Sequence, residues 1–180
     1  IRQSSTTGLA VNGPEPTVQN SSILDCKQGI DVRGSSRGLN ITANMVGPQV
    51  QSAGNLTADA IPVIVDQNTF VARPSGDHNA VVILESSVTE SITWPTPPDD
   101  FVYALQTNAH LTIAGPSAPT LTLQPGTVFK MYRSGVYDES GIRIGNGGEP
   151  GGLEASGVVF TSHLDDEGGN SSGSNDSPSP

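Results

Sequence analysis

The oxygen-bearing side chains near the end of the chain are the first residues whose types and spacing suggest chemistry. Asp165, Asp166 and Glu167 stand in a row, with Asn170, Asn175 and Asp176 following among glycines and serines. Hard oxygen ligands on a pliable loop suit calcium, which tolerates irregular coordination. The candidate ligands are Asp165, Asp166, Glu167 and Asp176, although the Asp-x-Asp-x-Asp-Gly spacing of an EF-hand is absent. The alternative is a solvated acidic loop. Asp99 and Asp100, after "TPP", read more simply as a turn.

Other chemistry is sparse. His78, His110 and His163 are scattered singly and read as surface residues, and Cys26 reads as a packed thiol in "SSILDCKQGI". A lone cysteine excludes an internal disulfide. Five N-x-S/T sequons occur, at Asn20, Asn40, Asn55, Asn170 and Asn175, each a candidate glycosylation site if the chain is secreted. Asn20, Asn40 and Asn44 also suit turns, because Asn tolerates left-handed backbone. Trp94, Phe101, Tyr103, Tyr132 and Tyr137 could form a surface on which sugar rings stack. Trp94 and Phe101 fit better as a cover over the open end of a stack of strands.

Composition narrows the class. The formal net charge of the 180-residue chain is −10, with eight Lys and Arg in all, so a phosphate backbone would repel it and nucleic acid is not an expected partner. No apolar run approaches the roughly 18 residues of a membrane span. The acidic, Lys-poor surface and the sequons favour an extracellular or cell-surface setting. Twenty-one Gly and 14 Pro, with few aromatics, suit many short strands joined by tight turns, and no stretch carries a sustained helical period. The expected fold is all-β.

The first third repeats. "GLAVNG" at 8–13 returns as "GIDVRG" at 29–34, and "PTVQNSSIL" from Pro16 is matched about 22 residues later by "GLNITANMV" from Gly38. A period in the low twenties is a solenoid signature: one rung cannot bury its inward side chains, and stacked rungs can. Leu9, Val11, Val18, Ile23, Ile30, Val32, Leu39, Ile41 and Met45 are the expected interior positions. Further strands are expected at 61–65, 80–84, 101–105, 110–114, 120–131 and 141–145. The prolines around 95–98 place a boundary near residue 85. Residues 1–85 would then form the coils ending one stack, and 86–180 would start a second module ending in the acidic Gly/Ser/Asn loop.

The second half resembles a known family. Leu121, Thr122, Leu123, Pro125, Gly126, Thr127, Val128 and Lys130, then Phe160, Thr161, Ser162, Asp165 and Asp166, are similar to the right-handed parallel β-helix (pectate-lyase-like) modules of large secreted and surface-anchored microbial proteins. In those modules the Asp-Asp loop continues through an Asp- and Asn-rich turn into Gly-Asp-Trp-Gly-Gly. Here it reads "GGNSSGSNDSPSP", poorer in carboxylates, as an inter-rung loop of a longer solenoid or of one repeat among several would if its sequel were missing. The resemblance implies a right-handed parallel β-helix with irregular loops. It also implies a structural or adhesive unit of a filament, stalk or surface layer, associating with itself, with neighbouring repeats or with extracellular glycans. Some β-helices are polysaccharide lyases or hydrolases, which is the alternative expectation. The Gly-His-Gly of the hydrolases is absent, and "RIG" at Arg143 is a fragment of their Arg-Ile-Lys.

Overall fold

The computed structural model describes residues 1, 5–34, 38–49, 51–73, 79–98, 100–132, 140–163 and 165. The chain winds through short strands, turn by turn. β1 (Thr7–Val11), β2 (Thr17–Gln19) and β3 (Ser22–Ile23) are followed by β4 (Gln28–Val32), β5 (Asn40–Thr42) and β6 (Met45–Val46). Next come β7 (Ser52–Leu56), a 3-10 turn (Ala58–Ala60), α1 (Ile61–Asp66) and β8 (Thr69–Phe70). β9 (Ala80–Ile83), β10 (Ser86–Val88) and β11 (Ile92–Trp94) lead into β12 (Val102–Leu105), β13 (His110–Ile113) and β14 (Thr120–Leu123). The last described turn is β15 (Val128–Met131), β16 (Gly141–Ile144) and β17 (Gly152–Glu154), and β18 (Val159–Ser162) begins another.

Every strand pairing is parallel, and one sheet runs the length of the molecule in the order β1-β4-β7-β9-β12-β15-β18. This is a parallel β-solenoid. Its register places Leu9 beside Ile30, 21 residues on, then Gly54, Val81, Tyr103, Phe129 and Phe160 in a single column. The other two faces are each laid down twice: β2-β5 and then β10-β13-β16, β3-β6-β8 and then β11-β14-β17. The break in these two faces falls at the turn carrying α1, while the first sheet crosses it uninterrupted through β7, β9 and β12.

The helix replaces the strand expected at 61–65. Pro62 sits at its first positions, where a missing N–H costs nothing, whereas in a central strand it would remove a ladder bond. Ile61, Ile64 and Val65 turn inward. Five apolar residues in a row do not distinguish strand from helix by periodicity.

The core is aliphatic at the amino end and aromatic towards the other. Ile23, Ile30, Val32, Ile41 and Val46 are fully enclosed. Trp94 stacks on Phe129 (6.4 Å, 9°) and meets Tyr103 edge-on at 5.4 Å. The indole N–H donates to the Ala58 carbonyl at 3.0 Å and the Tyr103 hydroxyl to the Pro95 carbonyl at 2.7 Å, so both rings have a polar partner despite burial. Of the expected interior positions, Met45 is the one turned out, at 44 % exposure, with Val46 inward in its place. A one-residue change of phase at the preceding bend exchanges the faces.

At that bend Ala43, not Asn44, has left-handed backbone (φ 56°), as Asn20 does in its own turn (φ 51°). Asn44 is buried. Its Oδ1 accepts from the Ser21 N–H (2.9 Å), and its Nδ2 donates to Val18 O (2.9 Å) and Asn68 Oδ1 (3.0 Å). Asn68 in turn donates to the Ile41 and Ile64 carbonyls. Gln49 does the same at the next bend, accepting from Cys26 N–H and donating to the Ile23 carbonyl. Side-chain amides thus satisfy backbone groups where the chain turns and the strand ladder stops.

Candidate functional site at the carboxyl end of the solenoid

In a stacked fold the informative places are the ends, because interior columns must stop there. At the carboxyl end three columns finish uncovered among the described residues. Phe160 follows Phe129 (ring centroids 5.7 Å apart) and is 39 % exposed. Ile144 follows Val88 and Ile113, both buried, and is 53 % exposed. Leu153, which continues Ile92 and Leu121, is half-buried. These side chains point along the same direction as their enclosed predecessors. Their exposure comes from the absence of a further rung over them among the described residues.

The opposite end has the same character. Leu9 and Val18, heads of their columns, are half-buried and packed on the core. The amino group of Ile1 donates to the Ser22 carbonyl (2.8 Å), and the Ile1 carbonyl accepts from Leu24 N–H (3.0 Å). Ile1 therefore lies across β3 in the position a rung would take.

Beyond β18 the chain is tied back onto β15. Lys130, fully buried, donates from Nζ to the Asp165 carbonyl, and the Thr161 hydroxyl donates to the Asp165 carboxylate. Burying an ammonium requires such partners. Tyr132 stacks on His163 with centroids 3.9 Å apart, which places His163 inside the fold rather than on the surface expected for it. Asp165 thus already receives two donors, and a cation bound to it would face the Lys130 ammonium. Asp166, Glu167 and Asp176 lie outside the described residues, and among the described residues no three His, Cys, Asp or Glu side chains converge as a metal site.

The sequons divide by burial. Asn20 and Asn40 are exposed, the latter accepting from Gln19 at 2.8 Å. Asn55 is enclosed within β7, its Oδ1 held by the Ser52 hydroxyl at 3.0 Å, with no room for a glycan. Asn170 and Asn175 lie outside the described residues, as do His78, Asp99 and Tyr137.

Among the described residues the candidate sugar-stacking aromatics do not gather on one surface. Trp94 and Tyr103 are in the core, and Phe101 packs edge-on against Phe70 at 5.6 Å. Trp94 covers the helical turn below it, at the base of the second ladder on its face. His110 is half-buried with Arg143 at 2.9 Å, Asp100 holds a left-handed turn, and Cys26 is a buried free thiol. No helix among the described residues is long and apolar enough to cross a membrane.

Sequence reading missed the turn amides and buried Lys130. Asn68 does follow Asn44 by 24 residues, close to the period, and that recurrence was the available signal. Comparison with known protein families, with curated proteins and with solved structures returns no match for this chain.

Proposed function

We propose that the chain is a non-catalytic structural or adhesive unit of an extracellular filament, stalk or surface layer that extends by stacking rungs end to end, akin to the β-helix modules of secreted microbial proteins. The observation that carries this reading is the uncovered carboxyl end, where Phe160 and Ile144 present the continuation of two enclosed columns to solvent. Isolated exposed apolar residues are ordinary; two exposed column ends with half-buried Leu153 beside them, on three adjacent strands, are a template for another rung. At the amino end β1 and β2 offer parallel strands of opposite edge, so two copies meet head to tail there without inverting any pairing, with Ile1 displaced from β3. A head-to-tail contact of that kind does not close and produces a fibre.

The burial of Trp94 and Tyr103 removes two of the rings on which sugars could have stacked. Calcium would act as a clamp on the acidic residues that follow Asp165 in the sequence. Electron microscopy of the native material, with and without a calcium chelator, tests the proposal. Rods or fibres of repeating mass support it, and their loss on chelation ties assembly to the loop. Monodisperse compact particles under every condition would contradict it.

A further inference from the structure

Two Asn-Gly pairs occur in the chain, Asn12-Gly13 and Asn146-Gly147. Such a pair carries its own chemistry. The backbone nitrogen of the glycine can attack the carbonyl carbon of the Asn side chain, and glycine has no Cβ to stand in its way. All four residues are exposed, and a Cβ built on either glycine meets nothing within 4 Å. Sequence and access therefore do not separate the two pairs. Their backbones do.

Asn146 is clamped. It pairs antiparallel with Glu149 across a two-residue turn, its N–H donating to the Glu149 carbonyl (3.0 Å) and its carbonyl accepting from the Glu149 N–H (2.9 Å). Gly147 (φ 59°) and Gly148 (φ 90°) both hold left-handed backbone, the form a tight two-residue hairpin requires. An extended residue in such a bridge turns the following amide away from its own side chain, so ring closure must first open the bridge. Asn12, by contrast, follows the last residue of β1, and neither it nor Gly13 makes a hydrogen bond among the described residues. Its backbone is free to rotate and bring the glycine nitrogen onto the side chain.

We propose that Asn12 is a site of spontaneous deamidation in the folded protein, and that the Asn146–Glu149 bridge protects the second pair. The Gly13 nitrogen bonds to Asn12 Cγ, the side-chain nitrogen leaves as ammonia with the proton of that amide, and a five-membered succinimide remains. Water then opens the ring. Breaking the bond to the side-chain carbonyl gives aspartate, and breaking the bond to the main-chain carbonyl gives isoaspartate. Either way a neutral side chain becomes a carboxylate, and the isoaspartyl form lengthens the backbone by a methylene just beyond β1. The proposal does not depend on the end-to-end assembly described above.

Incubation of the intact chain at mildly alkaline pH, beside the same chain unfolded in guanidinium chloride, tests it. Peptide mapping by mass spectrometry follows each Asn, heavy-oxygen water marks the oxygen that enters, and protein isoaspartate methyltransferase reports the isoaspartyl form. In the folded chain Asn12 should convert at close to its unfolded rate. Asn146 should be slower than in the unfolded chain by about fivefold or more, the least that two backbone hydrogen bonds amount to. Glu149→Pro removes the N–H that the Asn146 carbonyl accepts from and should return Asn146 towards its unfolded rate. Gly13→Ala, made into open space, should slow Asn12 and leave Asn146 unchanged. Equal slowing of the two pairs by folding, or faster conversion of Asn146 than of Asn12 in the folded chain, overturns the proposal. So does an intact Asn12 in a folded chain whose unfolded form has converted. An Asn146 rate unmoved by Glu149→Pro overturns the protective role of the bridge.

Discussion

Asn44→Ala removes the centre of the amide ladder between the second and third faces, and its cost can be worked out from the bonds lost. Asn44 is 1 % exposed and makes three side-chain hydrogen bonds, to Ser21 N–H, Val18 O and Asn68 Oδ1. Each is worth about 0.5–1.5 kcal/mol net, with more at stake where a partner is left buried and unpaired. Ser21 is exposed and can be rehydrated, while Val18 O and Asn68 lie in partly buried bonds. The expected loss is therefore about 2–4 kcal/mol, a large share of the about 5–15 kcal/mol typical of a folded domain. Urea denaturation reads it directly: the midpoint should fall by about 1–2 M with the slope unchanged. Asn40→Ala, at an exposed position in β5, is the control and should stay within about 0.5 kcal/mol of the parent. Combining Asn44→Ala with Asn68→Ala should cost less than the sum of the two, since each already breaks the shared bond. An Asn44→Ala variant no less stable than the Asn40 control would refute the claim that amides replace the ladder at the bends.

Gly29→Ala should cost about 1–3 kcal/mol, because a Cβ there runs into the Ala53 carbonyl oxygen and lies 2.8 Å from Val46 Cγ1. Gly13→Ala, with open space around its Cβ, should be close to neutral, and thermal melts of the pair check both. Burial pushes the Tyr103 hydroxyl well above its ordinary ionisation range, with the Asp66 carboxylate adding to the shift. Its stabilising contribution is complete below about pH 10. Above that the unfolded chain releases a proton that the folded chain retains, and stability falls by about 1.4 kcal/mol per pH unit. Tyr103→Phe should flatten that component of the alkaline slope while costing about 1 kcal/mol at neutral pH for the lost bond to Pro95. Urea midpoints at mildly and strongly alkaline pH decide this, and an unchanged slope in the variant contradicts it.

Much of the winding was legible in the sequence because a solenoid repeats its constraints. The pairing of "GLAV" with "GIDV" is visible as a 21-residue offset and reappears as the β1–β4 register. The glycine heading each segment has a steric reason, since a Cβ on Gly8 runs into Ile23 of its own turn and one on Gly29 into the Ala53 carbonyl of the next rung. What stayed hidden depends on contacts between rungs rather than on local pattern. "IPVIVD" satisfies a strand's composition, and only its place in the stack, with Pro62 at the helix start, makes it α1. Met45 and Val46 exchange faces because the bend before them sets the phase. Trp94 and Tyr103 look like surface aromatics until Ala58 O and Pro95 O are seen to receive their polar atoms. Lys130 is legible as part of a motif, but its burial against Asp165 requires the β15–β18 pairing 31 residues on. The break in the second and third faces exists because α1 stands where strands would run, which no periodic reading contains.

The central claim is that the carboxyl end is a template for another copy. Sedimentation velocity of the intact chain over a range of concentrations, beside Phe160→Lys, tests it most directly. Phe160 is exposed enough for lysine to reach solvent without unfolding the rung. The account predicts that the parent's sedimentation coefficient rises with concentration while the variant stays monomeric and equally folded. A parent that remains monomeric up to its solubility limit, or a variant that assembles as readily, would contradict it.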